Sequence, residues 1–427
     1  MKHSTPHEAA AALRPRDVLA MPLGPGQPPA TLHALGERSD FEELTVFAAL
    51  LVDAFPLFTK PGVRLLSGFF GPVERGLRDA GFNVRFVPAD FRRFARIARK
   101  LAPRVMASAA APPDADGWCS LSLHAGATVD ELRRCGADPD RVLIVEANAQ
   151  LPRTRGLPPH SHALHVDEID LLVEVDRDVI ALPDAPPTAI ERTIAEHARA
   201  FIRDGCTLQT GIGGVPNAIA ALLAEGPGGD YGVHSEMFTT GLMRLHRAGK
   251  VSNARKGHLD GFSITTFAMG TRELYDWLDG EGRELVRFLP ADVVNDPAQI
   301  ARNRALISIN GALSVDLVGQ LVADEIGGRQ HSGIGGHEDF VTGAAFSEGG
   351  RSLICLPSTA RVAGQTVSRI VRAFPPGTCV TTPRHQVDTI ITEYGAAELA
   401  GLTNAERRAA LTAIAHPDFR DELRSRA

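Results

Sequence analysis

The order strand, glycine turn, helix occurs twice in this chain and constrains its fold more than any other feature. Residues 16–35 read as a short apolar strand, a Gly/Pro turn at 24–29 and a helix. The same order returns as a strand at 207–209, a turn at 211–216 and a helix at 217–223. Two copies are too few for a solenoid. The repetition therefore predicts two similar open α/β lobes that face each other, with a cleft between them.

The segments between these repeats alternate between predicted strands and predicted helices. Apolar runs predict strands at 63–70, 83–87 and 141–146. Helical periodicity predicts helices at 41–52, 73–80 and 128–135. Such alternation is typical of a largely parallel sheet covered by helices.

A proline-rich connector marks the predicted domain boundary. Pro183, Pro186 and Pro187 stiffen an extended segment. A chain of 427 residues is long enough for two domains with cores of their own. We predict an amino-terminal lobe over residues 1–185 and a carboxy-terminal lobe over residues 186–427.

Charge gives no general reason for this protein to bind nucleic acid or an anionic membrane. The formal net charge is -6 at pH 7. The basic run at 91–100 carries interleaved aromatics, a pattern that also occurs in nucleic-acid-binding proteins. At helical spacing its apolar residues share one face and its arginines point elsewhere, so we interpret it as a solvated amphipathic helix.

The sequence predicts a soluble, unprocessed, cytoplasmic protein. The amino terminus has an early acid and a short apolar run that does not suit a signal peptide. No segment approaches the roughly eighteen uncharged apolar residues that a membrane helix needs. The five cysteines are scattered and form no C-x-x-C pair, which argues against disulfides and zinc and favours a reducing compartment.

Three histidines close together raise the question of a metal site. His160, His162 and His165 lie in a proline-flanked stretch. A metal site would need a nearby cysteine, or a carboxylate at ligand spacing on a regular element, and the stretch supplies neither. We interpret them as surface or loop histidines and predict no metal.

The glycine turn at residues 211–214 has two interpretations. Its free backbone N–H groups could cradle a phosphate or an oxyanion. A turn of this kind also serves plain packing of a strand against a helix. It is not a Walker loop, because no Lys-Ser/Thr follows, and Pro216 occupies the sixth position of G-x-G-x-x-G.

Glu236 lies in the mostly uncharged segment at residues 234–238, where an acid needs a reason to be present. It could be a nucleophile delivered to the glycine turn. Alternatively, it could be a carboxylate in the first turn of a helix over 237–247, favoured by the macrodipole. A second glycine cluster at 332–340 strengthens the case for a bound anion or oxyanion. Asn310 ends an apolar strand, where it could also simply cap a turn.

Motifs in a fixed order give this chain a family resemblance. They are GIGGVPNAIA, DYGVHSEMFTTGL, VVNDP, SIN, SGIGGHEDFVTGAA, LPSTAR, SRIV, TEYG and IAHPDFR, preceded by NAQLPRTRG and VDEIDLLVE. Together they resemble the acetyl-CoA hydrolase/transferase family, and within it the 4-hydroxybutyrate and acetate CoA-transferase type. The resemblance implies the two-lobed CoA-transferase fold, which is NagB/RpiA-like, with the active site between the lobes.

The resemblance also implies roles for individual residues. Glu236 would be the nucleophile, with oxyanion donors from the backbone near Ile212 and around Gly335, and Asn295 would be an auxiliary amide. Coenzyme A would be contacted by the remaining residues: Gly213, Gly214, Val215, Pro216, Asn217, Asn310, Gly335 and Arg361.

Two positions depart from the family pattern. The second glycine turn has Gly335-Gly336-His337 where Gly-Gly-Gln is expected. The segment 360–364 reads Ala-Arg-Val-Ala-Gly where Ala-Lys-Gly-Gly is expected. The cation is kept as Arg361 within a longer loop.

The sequence-based hypothesis is a CoA-transferase that moves CoA from a short-chain acyl-CoA, such as acetyl-CoA, to a small carboxylic acid. The resemblance implies a homodimer and a place in acetate metabolism. We expect no metal, no nucleic acid and no membrane as a partner. An acyl-CoA hydrolase that uses the same Glu236 is the alternative, and a catalytically inert CoA-sensing or scaffold protein is a third hypothesis.

Overall fold

The structure, a computed structural model, describes residues 1–124 and 126–425. In this described part of the chain, no helix is long and apolar enough to cross a membrane.

The chain folds into two units, each of which packs mainly on itself. The first unit contains Met1–Pro183 and Ile264–Val294. The second contains Asp184–Ser263 and the chain from Asn295 onward. The lobes predicted over 1–185 and 186–427 stay a prediction.

The first 183 residues alternate between strands and helices. The strands are β1 (Lys2–His3), β2 (Arg16–Ala20), β3 (Glu43–Ala48), β4 (Val63–Ser67), β5 (Val84–Phe86), β6 (Val105–Ala110), β7 (Trp118–Ser120), β8 (Val142–Asn148), β9 (Ala163–His165) and β10 (Leu171–Val175). The α-helices are α1 (Pro6–Ala11), α2 (Pro29–Glu37), α3 (Pro72–Asp79), α4 (Phe94–Leu101) and α5 (Val129–Gly136). Short 3-10 helices lie at Gly24–Gly26, Pro56–Thr59, Phe91–Arg93 and Val166–Glu168.

Eight of these strands form one sheet in the order β1-β10-β8-β6-β2-β3-β4-β5. Every neighbouring pair in it is parallel. Its central strands contribute Leu19, Val46, Leu65, Val105 and Ile144 to one buried core. The predicted α/β class with a largely parallel sheet is confirmed.

The helix predicted at 41–52 is wrong, because this segment contains strand β3. Residues 44–48 of the strand are all buried, and β3 pairs with β2 on one side and β4 on the other. A strand buried on both faces reads as a continuous apolar run, which periodicity cannot distinguish from a buried helix. The amphipathic helix predicted at 91–100 is confirmed by α4 and the 3-10 turn before it.

His162 lies in a loop, as the interpretation of this stretch as surface or loop histidines allows, but it is not at the surface. Its side chain is buried, and it stacks on Phe288 with ring centroids 4.9 Å apart. Its Nε2 lies 2.7 Å from the carbonyl oxygen of Ser122. Burial lowers the pKa of His162 to about 4, so the ring is neutral at physiological pH.

A buried acid connects the sheet of the first unit to helix α2. The Glu146 carboxylate on β8 accepts hydrogen bonds from the backbone N–H of Ala30 at 3.1 Å and of Thr31 at 2.9 Å. It also accepts from the Thr31 hydroxyl at 3.0 Å. Pro28 at the N-cap of α2 supplies no side-chain cap. Glu146 therefore satisfies N–H groups that a helix start leaves unpaired.

We expect Glu146→Ala to lower the free energy of unfolding by about 2–4 kcal/mol, because it leaves several buried donors without an acceptor. Glu146→Gln should cost less, since an amide oxygen still accepts. Chemical denaturation followed by circular dichroism measures both losses. Equal losses in the two variants would contradict this role.

The middle of the chain continues the alternation. Residues 184–263 contain α6 (Ala189–Arg199), β11 (Thr207–Thr210), α7 (Gly214–Glu225), β12 (Gly232–Val233), β13 (Met237–Phe238) and α8 (Thr240–Arg247). They are followed by β14 (Ser263–Thr265), β15 (Phe267–Ala268), α9 (Arg272–Asp279), α10 (Gly282–Leu285), β16 (Val286–Phe288) and α11 (Ala291–Val294).

The remaining elements complete the second unit. The helices are α12 (Pro297–Ile300), α13 (His337–Phe346), α14 (Asn404–Ala413) and α15 (Arg420–Arg424), with a 3-10 helix at Pro417–Phe419. The strands are β17 (Leu306–Gly311), β18 (Ser314–Asp316), β19 (Leu321–Val322), β20 (Glu325–Ile326), β21 (Arg329–Gln330), β22 (Arg351–Cys355), β23 (Thr359–Val362), β24 (Gln365–Ser368), β25 (Ile370–Val371), β26 (Thr389–Thr392) and β27 (Gly395–Glu398).

The main sheet of the second unit has six strands in the order β12-β11-β17-β22-β26-β27. Its neighbouring pairs are parallel except for β26 with β27, which is antiparallel. Val315, Ile354, Ile390 and Leu411 belong to one buried cluster of this unit. The strand and helix predicted at 207–209 and 217–223 are confirmed as β11 and α7.

Candidate active site

The candidate site lies at the carboxyl edge of the second unit's sheet. Strands β12, β11 and β17 are neighbours and run parallel. The carboxyl ends of β12 and β11 therefore lead, side by side, into the segment with Glu236 and the glycine turn at 211–213, and Asn310 lies within β17 itself, next to its end at Gly311. Open α/β sheets place ligands at this edge.

Ser235 fixes Glu236 next to the glycine turn. Its side chain is fully buried, and its hydroxyl donates to the carbonyl oxygen of Thr210 at 3.0 Å. The N–H of Thr210 lies 3.3 Å from the same hydroxyl oxygen. Thr210 ends β11 and directly precedes the turn, so the two parts of the site are held by a reciprocal contact.

Glu236 is not in the first turn of a helix, so the structural alternative for this acid is wrong. It is followed by strand β13, and helix α8 begins only at Thr240. The N-cap of α8 is Thr239, whose side chain accepts from the N–H of Leu242.

Two segments from later in the chain hold the Glu236 carboxylate. The Nδ2 of Asn295 donates to Oε2 of Glu236 at 2.6 Å. The backbone N–H of Gly336, which is the N-cap of α13, donates a hydrogen bond to the same carboxylate. Asn295 is fully buried, and its Oδ1 has no hydrogen-bond partner in the described residues.

Gly336 lies against the carboxylate so closely that a side chain would not fit. A Cβ at this position would lie 2.3 Å from Oε2 of Glu236 and 2.2 Å from Nδ2 of Asn295. Gly336 was missed as a site residue, although the sequence pointed to its neighbour Gly335. Glycine in a loop before a helix has many possible causes, and the close approach is visible only in three dimensions.

The surroundings make the Glu236 carboxyl hard to ionise. Burial raises the pKa of Glu236 to about 7, and the negative charge of Asp339 adds to the increase. The hydrogen bonds from Asn295 and Gly336 act in the opposite direction but only partly compensate. The carboxyl therefore titrates near neutral pH, as expected for a group in a functional site.

The glycine turn leads into α7 one residue after Gly213, which adopts a φ of 127° that favours glycine. Gly214 begins the helix and packs on Glu191, whose Oε1 would lie 2.0 Å from an added Cβ. Ile212 is 48% exposed and Val215 is buried. Pro216 and Asn217 follow in the first turn of α7 and are partly buried.

Asn310 and Arg361 have different surroundings. The Nδ2 of Asn310 donates to the Ser308 hydroxyl at 2.8 Å, and the Gln209 side chain lies 3.4 Å away. Arg361 lies on the exposed hairpin of β23 and β24 and donates to the Thr366 hydroxyl at 3.4 Å. The longer loop expected after Arg361 is thus an ordered hairpin.

His337, where the family pattern has glutamine, is buried beside Gly336. Its Nε2 lies 2.9 Å from the hydroxyl of Thr382. Burial lowers the pKa of His337 to about 4, so the ring is neutral. Among the residues that the structure describes, no cluster of three or more His, Cys, Asp or Glu side chains could hold a metal ion. The expectation of a metal-free site stays a prediction.

The raised pKa of Glu236 makes stability depend on pH. Below the ordinary value of 4.5, the folded and unfolded states both bind the proton. Between about 4.5 and about 7, the unfolded state has lost the proton while the folded state still holds it, so stability falls as the pH rises through this window, by up to roughly 3 kcal/mol, and stays at the lower level above it. We therefore expect Glu236→Gln to raise the midpoint of thermal unfolding more at pH 9 than at pH 5.

Glu196→Gln, at an exposed position on α6, is the matched control and should show no such difference between the two pH values. Calorimetry on both variants and the wild type measures the midpoints. An equal change at pH 5 and pH 9 for Glu236→Gln would show that this carboxyl is ionised without cost.

Known proteins resemble this chain over nearly its whole length. The family model of the acetyl-CoA hydrolase/transferase C-terminal domain matches residues 270–427. The succinyl-CoA:cyclohexane-1-carboxylate CoA transferase of Geobacter metallireducens is 35% identical over 99% of this chain and 94% of its own length. The 4-hydroxybutyrate coenzyme A transferase of Clostridium kluyveri is 38% identical over 73% of this chain and 69% of its own length.

A comparison with solved structures points to the same family. The crystal structure of RipA from Yersinia pestis matches with a TM-score of 0.89 and 35% identity, and covers 99% of this chain and 96% of its own. These similarities confirm the family that the ordered motifs predicted. The chain belongs to the acetyl-CoA hydrolase/transferase family and is an enzyme of its CoA-transferase class.

Proposed function

We propose that this enzyme transfers CoA from a short-chain acyl-CoA to a small carboxylic acid, with Glu236 as the nucleophile. The observation that carries the proposal is the partly buried Glu236 carboxylate, which Asn295 holds at 2.6 Å beside the backbone of Gly336. Nucleophilic carboxylates are used where an activated acyl group must be kept rather than lost to water.

The cycle begins when the Glu236 carboxylate attacks the acyl-CoA carbonyl. The C–S bond breaks, which gives an acyl-glutamyl anhydride and CoA thiolate. The thiolate then attacks the glutamyl carbonyl, and the anhydride C–O bond breaks to release the donor acid as a carboxylate. Glu236 is left as a thioester with CoA. A second carboxylate runs both steps in reverse, and no net proton is taken up or released.

The proposed donors serve two different oxyanions. When the thiolate attacks the glutamyl carbonyl, negative charge develops on a Glu236 oxygen, where Asn295 and the Gly336 N–H already donate. When Glu236 attacks the acyl-CoA, the charge develops on the acyl oxygen. We assign that oxyanion to backbone N–H groups near Ile212 and Gly335, in keeping with the family resemblance.

We further propose that coenzyme A runs along the start of α7. Gly213, Gly214, Val215, Pro216 and Asn217 would line its path. Asn310, Gly335 and Arg361 would make further contacts. Because Glu191 already packs against Gly214, the start of α7 suits the uncharged part of the cofactor better than its phosphates.

The decisive experiment traps the thioester. The enzyme is incubated with acyl-CoA alone, treated with borohydride, and digested for mass spectrometry. We expect reduction at Glu236 in the wild type and in the Glu196→Gln control, and none in Glu236→Gln. Wild-type enzyme that binds CoA but carries no reduced Glu236 would refute the mechanism and favour an inert CoA-binding protein.

The same preparation separates transfer from hydrolysis. A transferase releases product acyl-CoA only when an acceptor acid is present, with ping-pong kinetics. Free thiol appearing at the full rate without an acceptor would show that water completes the cycle, and the enzyme would be a hydrolase.

The close approach of Gly336 gives a second test. We expect Gly336→Ala to lower kcat by about 100-fold or more, because the added methyl displaces the carboxylate from its donors. Gly76→Ala is the matched control, since an added Cβ there meets nothing within 4 Å. Circular dichroism checks that both variants fold. Near-normal turnover in folded Gly336→Ala would contradict the proposed geometry.

A further inference from the structure

We propose that Lys256 is a positioning residue for Glu236, because its ammonium group binds the outer edge of β12, the strand that leads into the Glu236 segment. The inference rests on the proposed function, in which Glu236 is the nucleophile. Neither the ordered motifs nor their family resemblance assigned a role to this lysine.

Strand β12 is short and lies at the edge of its sheet. It contains Gly232 and Val233, and Glu236 follows three residues after its end. On the inner side, carbonyl groups of β11 and of the residue before it accept from the N–H of Gly232 at 2.9 Å and of His234 at 3.1 Å. The N–H and C=O of Val233 therefore face away from β11, as unpaired groups of an edge strand do.

Two side chains from the segment after α8 take the place of the missing neighbour strand. The Oδ1 of Asn253 accepts a hydrogen bond from the N–H of Val233 at 2.9 Å. The Nζ of Lys256 donates to the carbonyl oxygen of Val233 at 3.3 Å and to that of Phe262 at 2.6 Å. The ammonium group therefore ties β12 to residue 262, on the side opposite β11.

The position of Lys256 is built into the fold. Its side chain is fully buried, which is rare for lysine. An added Cβ at Gly232 would lie 2.3 Å from its Cγ, so the glycine of the DYGVHSE motif makes room for it. Burial lowers the pKa of Lys256 to about 7, and the negative charge of Asp260 offsets part of this decrease. Methionine would avoid this desolvation cost, so what the lysine adds is its hydrogen bonds to the two carbonyl groups.

Fixing Val233 limits the movement of Glu236. The Glu236 carboxylate has to stay within hydrogen-bond distance of Asn295, whose Nδ2 lies 2.6 Å away. Ser235 ties the same segment to the end of β11. Lys256 holds the other side, so the segment is fixed on both sides. Displacing a reacting group by about 1 Å can lower a rate by about 100-fold.

The alternative is that Lys256 stabilises the sheet edge without affecting Glu236. Lys250 provides a matched comparison, because its Nζ also donates to a backbone carbonyl, that of Gly226, at 2.6 Å. Gly226 is the C-cap of α7, at the end of that helix away from the glycine turn. Losing this bond should lower stability without displacing the Glu236 segment.

The test compares Lys256→Met and Lys250→Met with the wild type, once circular dichroism has shown that each is folded. Steady-state kinetics give kcat and the KM for acyl-CoA. Rapid quenching of enzyme mixed with acyl-CoA alone, followed by intact-protein mass spectrometry, gives the rate at which the Glu236 thioester forms.

We expect Lys256→Met to lower kcat and the rate of thioester formation about tenfold or more, with KM changed less than about twofold. Lys250→Met should keep both rates while its thermal midpoint falls. If Lys256→Met does not fold, Lys256→Gln, which keeps an N–H donor on a shorter side chain, is measured instead. It should lower the rate of thioester formation about threefold or more.

Wild-type rates in the folded Lys256 variant would overturn the inference, even if its thermal midpoint is lower, because the role would then be structural. An equal loss of both rates in Lys250→Met would also overturn it. Absence of any thioester in the wild type would refute the proposed function itself, which distinguishes the two failures.

Discussion

The candidate site depends on keeping one partly buried carboxylate, that of Glu236, ionisable. Burial of an acid raises its pKa unless donors or cations compensate. Here, Asn295 and the Gly336 N–H compensate in part, and Asp339 works against them, so the Glu236 carboxyl titrates near pH 7. No residue close to Glu236 in sequence supplies these groups. The balance therefore exists only when the second unit is folded.

The sheet of the second unit makes this convergence possible. Parallel strands bring their carboxyl ends to one edge, and the order β12-β11-β17 puts the Glu236 segment beside the glycine turn. Ser235 then fixes their distance through its bonds with Thr210. Helix α13 points its N-terminus toward the same place, where the positive end of its dipole favours negative charge. The backbone thus supplies part of the positive electrostatic potential at the Glu236 carboxylate.

Sequence alone predicted the fold class, the family and most of the chain segments that form the site. The glycine turn, the Glu236 segment and Asn295 each carry a local pattern that can be recognised. The strand β3 was wrongly predicted as a helix because a strand buried on both faces loses its alternation. Gly336 was missed for another reason. Its neighbours in the sequence give no sign that its backbone lies against the Glu236 carboxylate, because that approach exists only in three dimensions.

The same electrostatic arrangement affects folding and catalysis in opposite directions. A carboxylate that is costly to ionise destabilises the folded enzyme above neutral pH. In the proposed cycle, that cost disappears whenever Glu236 is acylated or bound to CoA, because the carboxyl is then uncharged. The free enzyme carries this electrostatic cost and the intermediates do not. The free-energy difference between the Glu236 carboxylate and the reactive thioester is therefore smaller. Stabilising the resting enzyme with a cation beside Glu236 would therefore deepen the ground state and slow turnover, a trade-off typical of strained active sites.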